Sequence, residues 1–287
     1  MQEGTNNTLT GDVNNLNPNP GFGTHITGSP TGEDGFDATL TGNPSMFYFN
    51  NTLKVWESVP NTNSETLEAG EAFAIMIRGD RNTSLSSNES LGSETTLRFT
   101  GDIQIKDFEV TNLSQGFNLI GNPYQSPINV RELLNNSTGI NKNFYYLYEP
   151  TIDEVGKNVS VAIGTSSTTP NNPSSNANVF IQAHQAFFVE ATSTTPELIF
   201  KEEYKNVNET QTQVFNENIQ NIFLQVNLQK LDANEISDGL RIRLGNHYSS
   251  GIDEFDAVKV WNSENNLASF DNQNYYSFDS RSYPTEN

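Results

Sequence analysis

Residues Gly116–Pro127, GFNLIGNPYQSP, are the stretch of the chain from which the fold is best predicted. The apolar residues Phe117, Leu119 and Ile120 favour a β-strand, and this pattern ends at Gly121–Pro123. Glycine and asparagine tolerate unusual backbone angles, whereas proline has no N–H to donate to a β-ladder. The sequence therefore predicts a strand that breaks or turns sharply after Ile120.

A fainter copy of this stretch, GFGTHITGSPTG, occupies Gly21–Gly32. Landmarks downstream of the two stretches follow in the same order, and their offsets drift as loop insertions such as Thr165–Asn178 would make them drift. The matched pairs are Pro30 with Pro123, Phe47 with Phe144, Phe73 with Phe187 and Phe99 with Phe200. We therefore predict two diverged copies of one β unit, with chance similarity among aromatic strands as the alternative.

Short apolar or alternating runs, separated by turn residues, continue to the end of the chain, which is the pattern of all-β proteins. We predict an all-β fold in which two diverged β-repeat units, β-sandwich or jelly-roll-like, precede a third β-sandwich segment that is incomplete at its C-terminus. The predicted boundaries are 1–20 for an N-terminal arm, 21–110 and 111–203 for the two repeat units, and 204–287 for the truncated sandwich segment.

Four local patterns carry more specific predictions. The continuous apolar run Ala72–Ile77, AFAIMI, is typical of a strand buried on both faces. Phe144–Tyr148, FYYLY, is predicted to be a strand, and some of its rings must point outward if one face is exposed. Ile128–Leu134 is the plausible short helix, and the low-complexity run Thr165–Asn178 is predicted to be a loop.

The 287 residues of the chain include 35 acidic and 15 basic side chains, which gives a formal net charge of −20. Nucleic acids and anionic membranes bind clustered lysine and arginine, so neither is expected as a partner. No apolar run approaches the ~20 residues that a membrane helix requires, and we expect no membrane insertion. The absence of cysteine excludes disulfides, zinc–thiolate sites and thiol catalysis.

A search for catalytic motifs finds none. The three histidines, His25, His184 and His247, are scattered without metal-ligand spacing. The sequence contains neither a G-x-S-x-G elbow nor a phosphate-binding glycine loop. We therefore predict that the chain is not an enzyme. A hydrolase, the alternative, would need two carboxylates ~5–9.5 Å apart in a cleft.

Loop carboxylates provide a candidate metal site. Asp34 and Asp37 lie in one acidic loop, and Asp253 and Asp256 lie in another. Such side chains can bind a structural Ca²⁺ together with backbone carbonyls. Neither loop matches the regular D-x-[DN]-x-[DN]-G pattern, so solvated surface charge is the simpler interpretation. We expect no other cofactor.

Aromatic side chains provide a candidate ligand-binding surface. We select Trp56, Tyr146, Tyr148 and Trp261 as rings that could stack against a sugar. They come from a wider aromatic set that also includes Tyr145, Tyr275 and Tyr276. Packing in the core is the alternative use of these rings.

Several of these motifs together resemble a region found in large surface and secreted proteins of Bacteroidota. The resemblance rests on Gly116–Ile128, on the aromatic strand Phe144–Tyr148 with the low-complexity loop after it, and on the Q-A-F-F-V strand at Gln185–Val189. It extends to further short motifs, namely Gly28–Pro30, Gly70–Phe73, Asp238–Arg241, Asp256–Lys259 and Arg281–Pro284. It therefore covers the chain from about Gly21 to its end.

The resemblance implies export by the type IX secretion system and a location on the cell surface or outside the cell. In such proteins a C-terminal sorting domain follows this region. We therefore expect the sequence to be a fragment whose contact with the secretion machinery is made through a sorting domain that it does not include.

Two functional hypotheses follow. The first is a non-enzymatic extracellular module of a large cell-surface or secreted bacterial protein, acting in adhesion or structural display, with surface glycans or other cell-surface proteins as partners. The second is a carbohydrate-binding accessory module of a secreted polysaccharide-degrading enzyme. The second hypothesis requires two or three aromatic side chains exposed on one face.

Overall fold

The computed structural model describes residues 23–85, 94–97, 102–152, 156–165, 167–206, 222–231, 236–246, 248–271 and 273–283. The chain forms two compact units, Met1–Gln104 and Ile105–Asn287. The predicted boundary between residues 203 and 204 falls inside the second unit. The predicted arm of residues 1–20, Phe99 and His247 lie outside the described residues.

Unit 1 contains a three-stranded antiparallel sheet of order β4-β3-β5 and a parallel pair, β1 with β2. The strands are β1 (Thr27–Ser29), β2 (Asp37–Ala38), β3 (Met46–Asn50), β4 (Val55–Ser58) and β5 (Phe73–Ile75), and a 3₁₀ turn spans Glu33–Gly35. The side chain of Asn50 accepts hydrogen bonds from the backbone N–H groups of Thr52 and Leu53, which closes the β3–β4 hairpin at the Asn-rich turn.

The prediction that Ala72–Ile77 is buried on both faces is wrong. The strand β5 covers three of these residues, and all three are half-buried. Met76 and Ile77 are exposed. Within the described residues β5 is an edge of its sheet, because it pairs with β3 alone. A continuous apolar run therefore does not imply that two layers cover it.

Unit 2 is built around a five-stranded antiparallel sheet of order β11-β10-β9-β13-β7, called here the central sheet. The elements of its N-terminal part are β6 (Phe108–Glu109), β7 (Gly116–Gly121), β8 (Ile128–Asn129), α1 (Val130–Asn135), β9 (Phe144–Glu149), β10 (Lys157–Ile163), β11 (Thr168–Pro170), β12 (Phe180–Ile181), β13 (Ala186–Ala191) and β14 (Ile199–Phe200), with a 3₁₀ turn at Glu202–Tyr204. Two small pairs, β12 with β8 and β14 with β6, complete this part.

A second sheet of unit 2, the C-terminal sheet, has the order β15-β16-β19-β17, and β18 also pairs with β19. Its strands are β15 (Ile222–Gln229), β16 (Ile236–Leu244), β17 (Ala257–Val258), β18 (Ser269–Asp271) and β19 (Asn274–Arg281). The pair β16–β19 is parallel, and the other pairs are antiparallel. The predicted all-β class is thus confirmed.

The central sheet is covered on both faces, which explains the unbroken apolar run in β9. Tyr145 and Leu147 belong to the large hydrophobic core that also contains α1. Phe144 and Tyr146 point to the opposite face and pack in a second core with residues of the C-terminal sheet, among them Phe278. Because side chains alternate along a strand, a strand between two layers needs apolar residues at every position.

The helix predicted for residues 128–134 is present as α1, but it begins at Val130, because Ile128 and Asn129 form β8. The N-cap Asn129 accepts a hydrogen bond from the N–H of Arg131. Among the described residues, no helix is both long enough and apolar enough to cross a membrane.

The two units share a local strand order. In unit 1 the order is β4-β3-β5, and in unit 2 the corresponding strands have the order β10-β9-β13. In each case the first strand of a hairpin lies between its hairpin partner and a later Phe-containing strand. Tyr48 pairs with Phe73 in unit 1, and Tyr146 pairs with Phe188 in unit 2. This order is what the two-copy hypothesis requires, and superposition of the two units is its test.

Candidate functional site

The Gly-Asn-Pro motif of residues 121–123 has a structural role, because the side chain of Asn122 forms hydrogen bonds within unit 2. The side-chain amide of Asn122 donates to the carbonyls of Ser126 at 2.9 Å, Gln182 at 3.0 Å and Ile181 at 3.3 Å. Its Oδ1 accepts from the N–H of Tyr124 at 3.1 Å. A buried asparagine thereby ties the end of β7 to the segment that follows β12, and it is not available for a ligand.

Tyr124 completes the same structural site. Its hydroxyl lies 2.8 Å from the carbonyl oxygen of Lys106 and 2.9 Å from that of Phe200, and its single proton is shared between these two acceptors. Burial raises the pKa of Tyr124 to about 12, so the hydroxyl keeps its proton. The ammonium group of Lys205 lies 4.0 Å from the ring centroid and covers one face of the ring.

The Asp-Gly-Leu-Arg and Asp-Ala-Val-Lys motifs meet in a buried ion pair. Lys259 Nζ lies 2.8 Å from Oδ1 and 2.6 Å from Oδ2 of Asp238, and both side chains are buried. The N–H of Leu267 also donates to Asp238. Burial lowers the pKa of Lys259, and Asp238 opposes that shift. A Cβ atom at Gly239 would overlap the carbonyl oxygen of Asn171, which explains the glycine.

The second pair of predicted calcium ligands, Asp253 and Asp256, is engaged by N–H donors. Oδ1 of Asp256 accepts from Ser280 N at 2.7 Å and Arg281 Nη1 at 3.2 Å, and its Oδ2 accepts from Asp253 N at 2.7 Å. Asp253 in turn accepts from the N–H of Phe255 at 2.8 Å. A Ca²⁺ ion here would have to replace these contacts.

Asp37, of the first predicted pair, is fully buried in a hydrogen-bonded ion pair. Arg81 binds it with two nitrogens, at 2.7 and 2.8 Å, and the N–H of Ile26 donates to it at 2.9 Å. Asp34 accepts from the side chain of Asn61. Within the part of the chain that the structure describes, no group of three or more His, Cys, Asp or Glu side chains is placed to hold a metal ion.

A cleft of about 510 Å³ in unit 2 has carboxylates on its walls. Glu190 of β13 lines it together with the loop Asp253–Asp256. Burial raises the pKa of Glu190, while a 3.2 Å hydrogen bond from Asn141 Nδ2 opposes the shift. Carboxylates from two elements thus share one cleft, as the hydrolase alternative requires, but those of Asp253 and Asp256 are held by N–H donors.

The structure separates the four predicted sugar-binding rings. Tyr146 is 1% exposed within the second core of unit 2, so it is not part of an exposed surface. Trp56 is 47% exposed in β4 of unit 1, where its ring contacts Phe49 edge-on at 5.3 Å. Tyr148 and Trp261 are both exposed in unit 2.

Trp261 belongs to a row of three exposed rings, called here the aromatic row. Trp261 contacts Tyr275 at a centroid distance of 5.0 Å and an angle of 69°, and Tyr275 contacts Phe270 at 4.8 Å and 41°. The three residues are between 44% and 60% exposed. The pairing of β18 with β19 places Phe270 opposite Tyr275.

Asn158 connects the aromatic row to the pair of strands that carries Tyr148. Asn158 of β10 is paired with Tyr148 of β9, so the two side chains share a face. Asn158 Nδ2 donates to the carbonyl of Trp261 at 2.8 Å, and its backbone N–H donates to Asn262 Oδ1 at 2.6 Å. The aromatic row thus adjoins the margin of the central sheet.

The sequence analysis selected Trp261 and Tyr148 as candidate ligand-binding residues and included Tyr275 in its wider aromatic set, but it did not select Phe270. The signal was the run from Phe270 to Tyr275, FDNQNY, in which polar turn residues separate two aromatics. This is a hairpin pattern that places the two rings opposite each other.

No family model matches the chain, and no curated protein or solved structure is significantly similar to it.

Proposed function

We propose that the chain is a non-enzymatic extracellular module of a large cell-surface or secreted bacterial protein, and that it acts in adhesion. The observation that carries this proposal is the aromatic row, in which three half-exposed rings contact one another on one unit. The largest contiguous exposed apolar patch of a soluble protein is often an interaction site. The other motifs described above are used for internal hydrogen bonds and ion pairs.

The carbohydrate-binding accessory module of a secreted polysaccharide-degrading enzyme is a second candidate. It needs two or three exposed aromatics close together, and Trp261, Tyr275 and Phe270 fit this requirement. The two candidates share the same binding surface and differ in the protein that carries it. Binding of the isolated chain therefore tests both.

Export by the type IX secretion system and display at the cell surface are part of the proposal. They are supported by the sequence motifs that resemble those of Bacteroidota surface proteins. Limited proteolysis of intact cells that carry the protein tests them. We expect the added protease to cleave the protein while cytoplasmic markers stay intact, and protection of the protein would contradict surface display.

Adhesion is tested by incubating the purified, folded chain with immobilised polysaccharides and with whole bacterial cells. We expect retention on at least one of these surfaces. If the chain keeps its β-sheet circular dichroism and binds neither surface, the adhesion proposal is wrong.

A further inference from the structure

We infer that the aromatic row is the binding site for a neutral polysaccharide, whose sugar rings stack on Trp261, Tyr275 and Phe270. This inference rests on the proposed function and adds to it the ligand class and the residues. Stacking on an aromatic face buries the apolar C–H surface of a sugar, while the sugar hydroxyls stay at the margin, where they can form hydrogen bonds.

The ring geometry leaves faces available for stacking. The planes of Trp261 and Tyr275 are inclined by 69°, so the edge of one ring meets the face of the other and the two rings are not stacked face to face. The contact between Tyr275 and Phe270 is tilted by 41°. Because all three side chains are about half exposed, a flexible chain of sugars could contact successive rings along the row.

Side-chain amides lie close to the row in the sequence. Gln273 and Asn274 are exposed in the turn that joins Phe270 to Tyr275, and Asn158 contacts the backbone of Trp261. An amide offers both donors and an acceptor, which is the combination that sugar hydroxyls require. These groups can orient a ligand without adding charge.

Two buried polar atoms next to the row have no hydrogen-bond partner within the described residues. They are Nδ2 of Asn262, which follows Trp261, and Oγ of Ser269, which precedes Phe270. Buried polar groups without partners are rare in native proteins. Their position beside two of the three rings is consistent with a site that a ligand with hydroxyl groups completes after a small side-chain rotation.

The charge of the surroundings favours a neutral ligand. The chain carries a net charge of −20, and acidic side chains lie near the row in sequence, among them Glu264 and Asp271. Arg281 lies 3.5 Å from Asp271 and is shared with Asp256 and Asp279. We therefore expect the net negative charge of the chain to disfavour ligands that carry uronic acid or sulfate groups.

The size of the row favours a polysaccharide over a protein partner. A buried aromatic side chain contributes 150–250 Å², so three half-exposed rings offer roughly 200–400 Å². A stable protein interface buries about 800 Å² on each partner. The row is too small for that alone, whereas it suits a narrow chain of sugars.

The inference is tested by affinity gel electrophoresis of the whole chain against a neutral β-glucan, xylan, mannan and starch, with alginate as the acidic probe. The variants are Trp261→Ala, Tyr275→Ala and Phe270→Ala. Phe223→Ala is the matched control, since Phe223 is an exposed phenylalanine of the same unit outside the row. Thermal midpoints of all variants establish that they fold.

We expect retardation by at least one neutral polysaccharide. Trp261→Ala should weaken it about tenfold or more, as truncation of an aromatic hot spot does, and Phe223→Ala should leave it unchanged. Trp261→Phe should restore part of the affinity.

Each of the following outcomes overturns the inference in whole or in part. If a neutral polysaccharide binds but its affinity survives all three row variants, or is lost in Trp56→Ala instead, the site lies elsewhere and the adhesion proposal stands. If alginate binds as well as the neutral polymers, the selectivity for neutral ligands is wrong. If whole cells bind the chain but no polysaccharide does, the ligand class is wrong, and if neither binds, the adhesion proposal fails as well.

Discussion

The strands β3 of unit 1 and β9 of unit 2 have similar sequences, MFYFN and FYYLYE, and lie at the same place in the order of their sheets. Their burial differs. Phe144, Tyr145, Tyr146 and Leu147 are all buried in β9, whereas only Met46 is buried in β3.

The difference comes from what covers each strand. In unit 2, the core around α1 covers one face of β9 and the C-terminal sheet covers the other. In unit 1, the described core gathers Ile26, Phe36, Met46 and Val59, with Tyr48 among the partly buried residues packed against it. The comparison teaches that similar aromatic strands become central or peripheral according to the layers that surround them, which the strand itself does not encode.

The largest expected effect tests this comparison at Phe73 and Phe187, which the sequence order of the two units matches. Phe187 is fully buried, whereas Phe73 is half-buried. Truncation of a buried phenylalanine leaves a cavity, so Phe187→Ala should lower the free energy of unfolding by about 4 kcal/mol, and Phe73→Ala by about 2 kcal/mol. Equal losses would show that the two strands are equally central.

The chain offers a probe for each unit. Its two tryptophans are Trp56 in unit 1 and Trp261 in unit 2. Urea unfolding followed by fluorescence in a Trp261→Phe background reports unit 1, and a Trp56→Phe background reports unit 2. Each stability change predicted here is measured with the tryptophan of its own unit.

A buried ion pair in each unit provides the next comparison. Arg81→Met leaves the carboxylate of Asp37 buried without its guanidinium, and Lys259→Met does the same to Asp238. Loss of one partner of a buried pair should cost about 3 kcal/mol in either unit. The double variant Asp238→Leu/Lys259→Met removes both charges and should be more stable than Lys259→Met. A double variant less stable than Lys259→Met would show that Asp238 stabilises the sheet through its backbone N–H donors even without the lysine.

A smaller effect is expected at the residue that precedes a proline at the end of a strand in each unit, namely Ser29 in unit 1 and Asn122 in unit 2. Asn122 forms four hydrogen bonds through its side chain, whereas Ser29 Oγ accepts from the N–H groups of Thr31 and Glu33. Asn122→Ala should cost about 2 kcal/mol, because buried carbonyls lose their donors, and Ser29→Ala about 1 kcal/mol. A larger loss for Ser29→Ala would mean that the first unit depends more on this turn.

These particular residues show what the sequence could predict. The all-β class and α1 follow from local periodicity and capping, which act over a few residues. The double coverage of β9 depends on Phe278 and Ala257, more than a hundred residues away, and no local pattern contains that information. AFAIMI was misread for the same reason.

The low-complexity run 165–178 was also misread in part. It was predicted to be a loop, but it contains β11 and the buried Asn171. Asn171 donates to the carbonyl of Gly239 and accepts from the N–H of Ser160, so it links the central and C-terminal sheets. The role of an asparagine depends on which distant groups surround it. Likewise, Tyr146 is buried and is not part of the exposed aromatic surface, whereas the β18–β19 hairpin places Phe270 beside Tyr275 in the aromatic row.

The smallest expected effect on stability concerns Glu190, a side chain of β13 that is partly buried. Its pKa is raised above the usual 4.5 by burial, so the folded chain binds this proton more tightly than the unfolded chain does. The stability that this provides is complete below about pH 4 and is lost as the pH rises through the folded-state pKa. Glu190→Gln keeps an acceptor for Asn141 and removes the charge.

We therefore expect Glu190→Gln to have a higher thermal midpoint than the wild type at pH 7, and the difference to vanish near pH 3.5. Glu109→Gln, at an exposed glutamate of the same unit, is the control and should change little. A lower midpoint for Glu190→Gln at pH 7 would mean that the ionised carboxylate is stabilised. If the midpoint of Glu190→Gln were lower only in the presence of added Ca²⁺, the cleft that Glu190 shares with Asp253 and Asp256 would be a cation site. The two units would then differ in ligand binding as well as in packing.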